Sequence, residues 1–118
     1  MYRPLTQSIV LRLPPPISTN ALWRSVRGRN IKSERYREWE VKADIMVIEQ
    51  KVGRIEGPYG LTIKLPRKCR VDIDNTAKCI NDTAQRNGLV ENDSKCMRLL
   101  IERGVEDETV CFFISTKE

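Results

Sequence analysis

Residues 61–88 read LTIKLPRKCRVDIDNTAKCINDTAQRNG, and their reading decides the fold. Leu61, Ile63 and Leu65 alternate with Thr62 and Lys64, the period-2 pattern of a half-buried strand, and Pro66 ends it because proline donates no ladder hydrogen bond. Two aspartates, Asp72 and Asp74, then stand two residues apart. From Asn75 to Asn87 apolar residues recur at helical spacing, with Ala77, Ile80 or Asn81 and Ala84 on one side, and Gly88 supplies the stop. The stretch is therefore a strand, an acidic corner and a helix.

Working outward, residues 8–13 form another β-rich run that Pro14, Pro15 and Pro16 terminate. Periodicity is lost between Ile17 and Lys32, so this basic, Gly28-containing segment reads as a loop. Ser33 is placed to cap a helix in which Tyr36, Trp39, Ala43, Met46 and Val47 recur at helical spacing as far as about Val52. Tyr36 and Trp39 are core residues by that pattern, whereas Trp23 lies in the basic loop, to anchor it to the body or to stack on a base. Gly57 to Gly60 reads as a turn. Beyond the Glu91-Asn92-Asp93 corner, residues 95–103 and 109–116 read as two strands joined into a hairpin by an acidic turn. The order implies an α+β protein, a single domain over residues 1–118 with a mixed β-sheet packed against two main helices.

The 118 residues carry 21 Lys and Arg against 16 Asp and Glu, a formal net charge of +5. Arg24, Arg27, Arg29, Lys32, Arg35 and Arg37 crowd one segment, and Arg67, Lys68 and Arg70 precede the paired acids. Such segregation points to a polyanionic partner. The chain has no histidine, which excludes HEXXH zinc sites, HNH nucleases, Ser-His-Asp triads and Cys-His pairs. Cys69, Cys79, Cys96 and Cys111 lack CxxC spacing and follow no secretory leader, so reduced thiols and a cytoplasmic location are expected. No apolar run has the length of a membrane span, and no membrane partner is expected.

If Asp72 and Asp74 lie on an extended segment, their side chains share one face and can share a hard cation. The same pattern also reads as ordinary loop acids, with Asp74 or Asn75 capping the helix and Asp74 pairing with Lys78. An EF-hand is excluded, since Ala77 replaces the required glycine and Thr83 stands where the final glutamate should be. Two or three aspartates without histidine suit Mg²⁺, with Mn²⁺ as a substitute, and a bound Mg²⁺ both activates water and neutralises charge in phosphodiester hydrolysis. Asp72, Asp74 and Asp93 are the candidate metal ligands and catalytic acids. Lys78, one turn into the helix, is the candidate group for stabilising charge or orienting water. Asp93-Ser94-Lys95 offers Lys95 as a rival in that role. Arg24, Arg27, Arg29, Lys32, Arg67, Lys68 and Arg70 are the candidate DNA contacts, and no organic cofactor is expected.

With these residues assembled, the chain resembles the RusA family of Holliday junction resolvases, small endonucleases commonly carried by phages and prophages. The resemblance rests on Arg70-x-Asp72-x-Asp74-Asn75-x-x-Lys78, then Asp82, Asn87-Gly88 and Asp93, with weaker support from Pro14-Pro15-Pro16, Asn20 and Arg27-Gly28-Arg29. It implies a homodimer that binds four-way DNA junctions, needs a divalent metal and nicks two opposed strands symmetrically in a bacterial or phage-infected cell. By the match, Asp72, Asp74 and Asp93 are the metal-binding catalytic acids and Lys78 an essential basic residue. Asn92 departs from relatives that carry an acid beside the last aspartate. Two other readings stay open from the residues alone: a basic DNA-binding protein without catalysis, and a metal nuclease acting on other branched or duplex DNA.

Overall fold

The computed structural model describes residues 3–17, 23–26, 29–69, 76–104 and 107–116, with the backbone alone at 23–26 and 29–31. The strand at the centre of the sequence is also at the centre of the sheet. β4 (Tyr59–Leu65) buries Tyr59, Leu61, Ile63 and Leu65 on one face, as alternation requires. It begins two residues earlier than the sequence pattern suggests, because Tyr59 belongs to the buried face rather than to a turn. Its neighbours are β6 (Thr109–Ser115), antiparallel, and β5 (Cys96–Arg103), parallel, while β1 (Ser8–Leu13) pairs with β6. The order is β1-β6-β4-β5, a mixed four-stranded sheet.

The expected hairpin of the last two strands is therefore corrected. β5 and β6 are neighbours in sequence but lie on opposite sides of β4. Two strands running the same way cannot be joined by a tight turn, so α2 (Thr76–Arg86) carries the chain back between β4 and β5. The Gly104 N–H donates to the Leu65 carbonyl at 2.8 Å, which ties the far end of β5 to the end of β4.

The expected loop over 17–32 is also corrected. β2 (Trp23–Val26) and β3 (Arg29–Lys32) pair antiparallel as a separate ribbon, Trp23 opposite Lys32 and Val26 opposite Arg29. The segments WRSV and RNIK carry no apolar alternation, so nothing in the sequence marks them as strands.

Both helices pack on the same face of the main sheet. α1 (Glu34–Gln50) starts at Ser33, whose side chain accepts from the Tyr36 N–H, and ends at Lys51, in left-handed conformation with φ 51°. It buries Tyr36, Trp39, Ala43 and Val47, and Met46 stays half-exposed. Trp39 Nε1 donates to the Pro15 carbonyl at 2.9 Å, which fixes the proline stretch to the helix. Gly53 is required by close approach: a Cβ there would sit 2.5 Å from the Pro4 carbonyl oxygen. Gly88, at φ 75°, ends α2 as its position suggests.

The two edges of the sheet differ. At β1 the Gln50 amide occupies the free edge, its Oε1 accepting from the Arg12 N–H and its Nε2 donating to the Arg12 carbonyl, both at 2.7 Å. Among the described residues β5 carries no such cover, and Met97, Leu99 and Leu100 are exposed. All four cysteines are free.

Ile63 is fully buried on the central strand among side chains from both helices and three strands. Ile63→Ala is expected to cost about 2–5 kcal/mol, read as a lower urea midpoint at unchanged slope.

Candidate metal and nucleic-acid site

β4, α2 and β5 form a parallel crossover unit, and the acidic corner falls inside it. After Leu65 and Pro66 the chain turns at Arg67 and Lys68, closed by the Cys69 N–H donating to the Pro66 carbonyl at 2.9 Å. Arg70, Asp72, Asp74 and Asn75, with their candidate metal, DNA and capping roles, lie outside the described residues, as does Arg27. The chain is described again at Thr76, the first residue of α2.

α2 presents two faces with different tasks. Cys79, Ile80, Thr83 and Ala84 are buried in the core. Asn81 is also buried, and its Oδ1 accepts from the Tyr59 hydroxyl at 2.6 Å, which ties the helix to the first residue of β4. Arg86 pins the same helix to α1 through Asp44 at 2.7 Å and Glu40 at 2.8 Å, and the Asn87 side chain joins the same Asp44 at 2.8 Å.

On the other face Lys78, Asp82 and Gln85 stand at i, i+4 and i+7, so they share one flank. Lys78 Nζ lies 3.5 Å from Asp82 Oδ2. Gln85 Oε1 accepts from the Asp93 N–H at 3.1 Å, holding the short 3-10 turn Asp93–Lys95 against the helix. Asn92 caps that turn, its Oδ1 accepting from the Ser94 N–H at 2.9 Å. Lys78 and Asp93 are thus brought to one flank of α2 but not into contact, since seven residues of helix rise about 10 Å. Lys95 shares the turn with Asp93 and is exposed.

A basic cleft of about 710 Å³ opens beside the end of β4, lined by Arg67, Lys68, Cys69 and Arg103. The Arg103 guanidinium donates to the Cys69 carbonyl. Arg67 makes one long ion pair, 3.8 Å to Asp107. Lys32 is engaged within the protein, 3.0 Å from Glu40 Oε2 and 5.4 Å from the centre of the Tyr36 ring. Arg24 stands opposite Ile31 in the ribbon, and Arg29 opposite Val26.

The model of the endodeoxyribonuclease RusA family matches residues 13–110, a span that takes in the crossover unit, the acidic corner and the basic ribbon. The chain belongs to the RusA endodeoxyribonuclease family. It is similar to a crossover junction endodeoxyribonuclease RusA of Aquifex aeolicus, 31% identical over 102 residues that cover 80% of each chain. The RusA-like fold is the α+β arrangement described above.

For a RusA-family chain, the donor chemistry of the described part suits a hard cation. The Asp93 side chain is exposed and has no ion-pair partner among the described residues, and its backbone is held by Gln85. An oxygen donor fixed in this way fits Mg²⁺, which prefers one or two carboxylates and keeps several waters. Asp93 alone does not make a site, and among the described residues no cluster of three acids or thiols forms.

Sequence reasoning missed two residues of this region, Arg103 and Gln85. Arg103 reaches the cleft only because β5 runs parallel to β4, with Arg103 opposite Leu65. Gln85 bonds through its side chain to a backbone group, which composition does not reveal. Asp82 belongs to the family resemblance, but its i,i+4 pairing with Lys78 is not anticipated there; the partner considered from the sequence is Asp74, four residues before Lys78.

Burial holds several protons on the inner face of this unit. The Tyr36 and Tyr59 hydroxyls are pushed up by burial, with smaller contributions from nearby thiols and carboxylates, Asp93 among them for Tyr59. Burial raises the Cys79 thiol to about 11 and pushes Cys111 up as well. In the unfolded chain these groups ionise at their ordinary values while the folded chain keeps them protonated. Their stabilisation is therefore complete below the ordinary thiol pKa of 9.0 and is lost as pH rises through the raised values. Urea midpoints measured from pH 7 to 11 should be flat to about pH 8 and then fall. Tyr59→Phe, which leaves the buried Asn81 oxygen unpaired, should cost about 1–3 kcal/mol at neutral pH.

Proposed function

We propose that this chain is a Mg²⁺-dependent, structure-selective endodeoxyribonuclease that resolves four-way DNA junctions by paired, symmetric nicks. The observation that carries the reading is the family match over residues 13–110, which includes the Asp72-x-Asp74-Asn75-x-x-Lys78 block and Asp93. The likeness to the Aquifex relative, a crossover junction endodeoxyribonuclease, supports the junction as substrate.

In this reading Asp72, Asp74 and Asp93 are the metal-binding acids and Lys78 assists, with Asp72 and Asp74 before the start of α2 and Asp93 beyond its other end, about 16 Å of helix apart, so one ion draws on all three only across two copies of the chain. A bound Mg²⁺ supplies charge neutralisation and an activated water, for which Mn²⁺ substitutes. The protein's own task is to position. Gln85 fixes the backbone of Asp93, and Asp82 holds the Lys78 ammonium near the corner until the phosphate competes for it. The cleft of Arg67, Lys68 and Arg103, with Arg70 in the same segment and Arg24, Arg27, Arg29 and Lys32 of the ribbon region, draws the phosphate backbone in. A junction presents two equivalent scissile phosphates, so a C2 homodimer offers one site to each. The place of action is the cytoplasm of a bacterial or phage-infected cell, and residues 1–118 act as one nuclease domain.

The deciding experiment incubates the protein with a synthetic four-way junction and Mg²⁺, with the linear duplex arms as competitor, and maps the nicks. Paired nicks at symmetric positions are expected, and preferential cutting of the linear arms would overturn the junction assignment. Asp72→Asn and Asp74→Asn should abolish cleavage while junction binding survives, as a gel-shift assay checks. Gln85→Ala should lower the cleavage rate by roughly tenfold or more with little change in junction affinity, because it loosens the hold on Asp93. Binding should weaken steeply with salt as counterions are released, with log K falling linearly in log salt concentration.

A further inference from the structure

The two edges of the main sheet are chemically unequal. An unpaired edge strand is a template for another strand, and proteins blunt it with charge, proline or a covering side chain. The β1 edge is covered at Arg12 by the Gln50 amide. Among the described residues the β5 edge is open, and Met97 is 65% exposed, Leu99 49% and Leu100 55%, apolar side chains on both faces of the strand.

We propose that β5 pairs antiparallel with β5 of a second copy, joining the two sheets into one of eight strands. The inference rests on the two-subunit part of the proposed function and assigns the surface that makes it. A two-fold axis perpendicular to the sheet keeps the helices of both copies on one side, so residues that face each other must share a face. That restricts the register to positions whose numbers sum to an even value. With Leu100 on the axis, Arg98 stands opposite the partner's Glu102 and Leu99 opposite the partner's Ile101. The axis repeats each pair. Moving the axis to Leu99 sets Arg98 against the partner's Leu100 and Lys95 against the partner's Arg103. Moving it to Ile101 sets Leu100 against the partner's Glu102. Of the three, only the Leu100 register pairs opposite charges, with apolar side chains against one another at its centre and Met97 against the partner's Arg103 at its ends.

The side chains are free for this use. Arg98 has no carboxylate partner among the described residues. Glu102 is half-exposed and pairs with Lys64 at 2.7 Å on the outer face, where a second cation adds to the pair. The same register sets Cys96 beside the partner's Gly104. The Asp93–Lys95 turn of each copy thus approaches the end of β5 where the partner's Arg67, Lys68 and Arg103 line the basic cleft.

Sedimentation equilibrium on the full chain tests the pairing. Arg98→Glu and Glu102→Arg each place like charges opposite one another twice and should raise the dimer dissociation constant about tenfold or more. The double variant R98E/E102R restores opposite charges and should return the constant to within about threefold of the native value. Leu100→Cys should form a disulfide-linked dimer under mild oxidation faster than Leu99→Cys, with the native chain as background. A native dimer indifferent to the single reversals, or a double variant no tighter than the singles, overturns the β5 interface and leaves the two-subunit reading standing. A chain that is monomeric at every concentration yet nicks junctions symmetrically overturns both.

Discussion

The parallel pairing of β4 with β5 is the constraint on which the rest of the molecule depends. Antiparallel strands accept a two-residue turn, but parallel strands require the chain to travel back the length of the sheet, and here α2 makes that journey. The return fixes which groups meet. Residues 66–69 lie at one end of the crossover and the Asp93–Lys95 turn at the other, with α2 as the bar between them. Arg103 comes to the basic cleft for the same reason, since the far end of β5 lies beside the far end of β4.

The bar is held in place by polar contacts rather than by apolar packing alone. Tyr59 and Asn81 join strand to helix in the interior, and Arg86 with Asp44 and Glu40 joins helix to helix near the surface. A buried hydrogen bond leaves an expensive orphan if either partner is lost, so it selects one rotation of α2 about its axis. That rotation turns Lys78, Asp82 and Gln85 outward together. A purely apolar interface of the same residues tolerates more rotational slack.

The elements whose signals are local were legible in the sequence. The alternation of β1 and β4, the Ser33 cap, the burial of Tyr36 and Trp39 and the stop at Gly88 all depend on nearest neighbours in the chain. The pairing of strands does not. β5 and β6 are separated by a short acidic segment that a hairpin would also use, and only the insertion of β4 between them makes the sheet mixed. The β2–β3 ribbon escaped notice because its sequence carries no apolar alternation. For the site, the acidic block and Lys78 were visible through spacing, whereas Gln85 and Arg103 act through partners distant in sequence. Asn92, a departure from the family pattern, has a local task as the cap of the turn that carries Asp93.

The Gln50 amide at the edge of β1 sets how many times such a sheet can be extended. It satisfies both backbone groups of Arg12 with one side chain, itself steadied by the Met46 carbonyl at 2.8 Å. A sheet with two open edges is divalent, and divalent units add to one another without limit. With Arg12 engaged, a strand docking on β1 forgoes two hydrogen bonds that a strand docking on β5 keeps, so addition favours one edge and polymer growth is disfavoured.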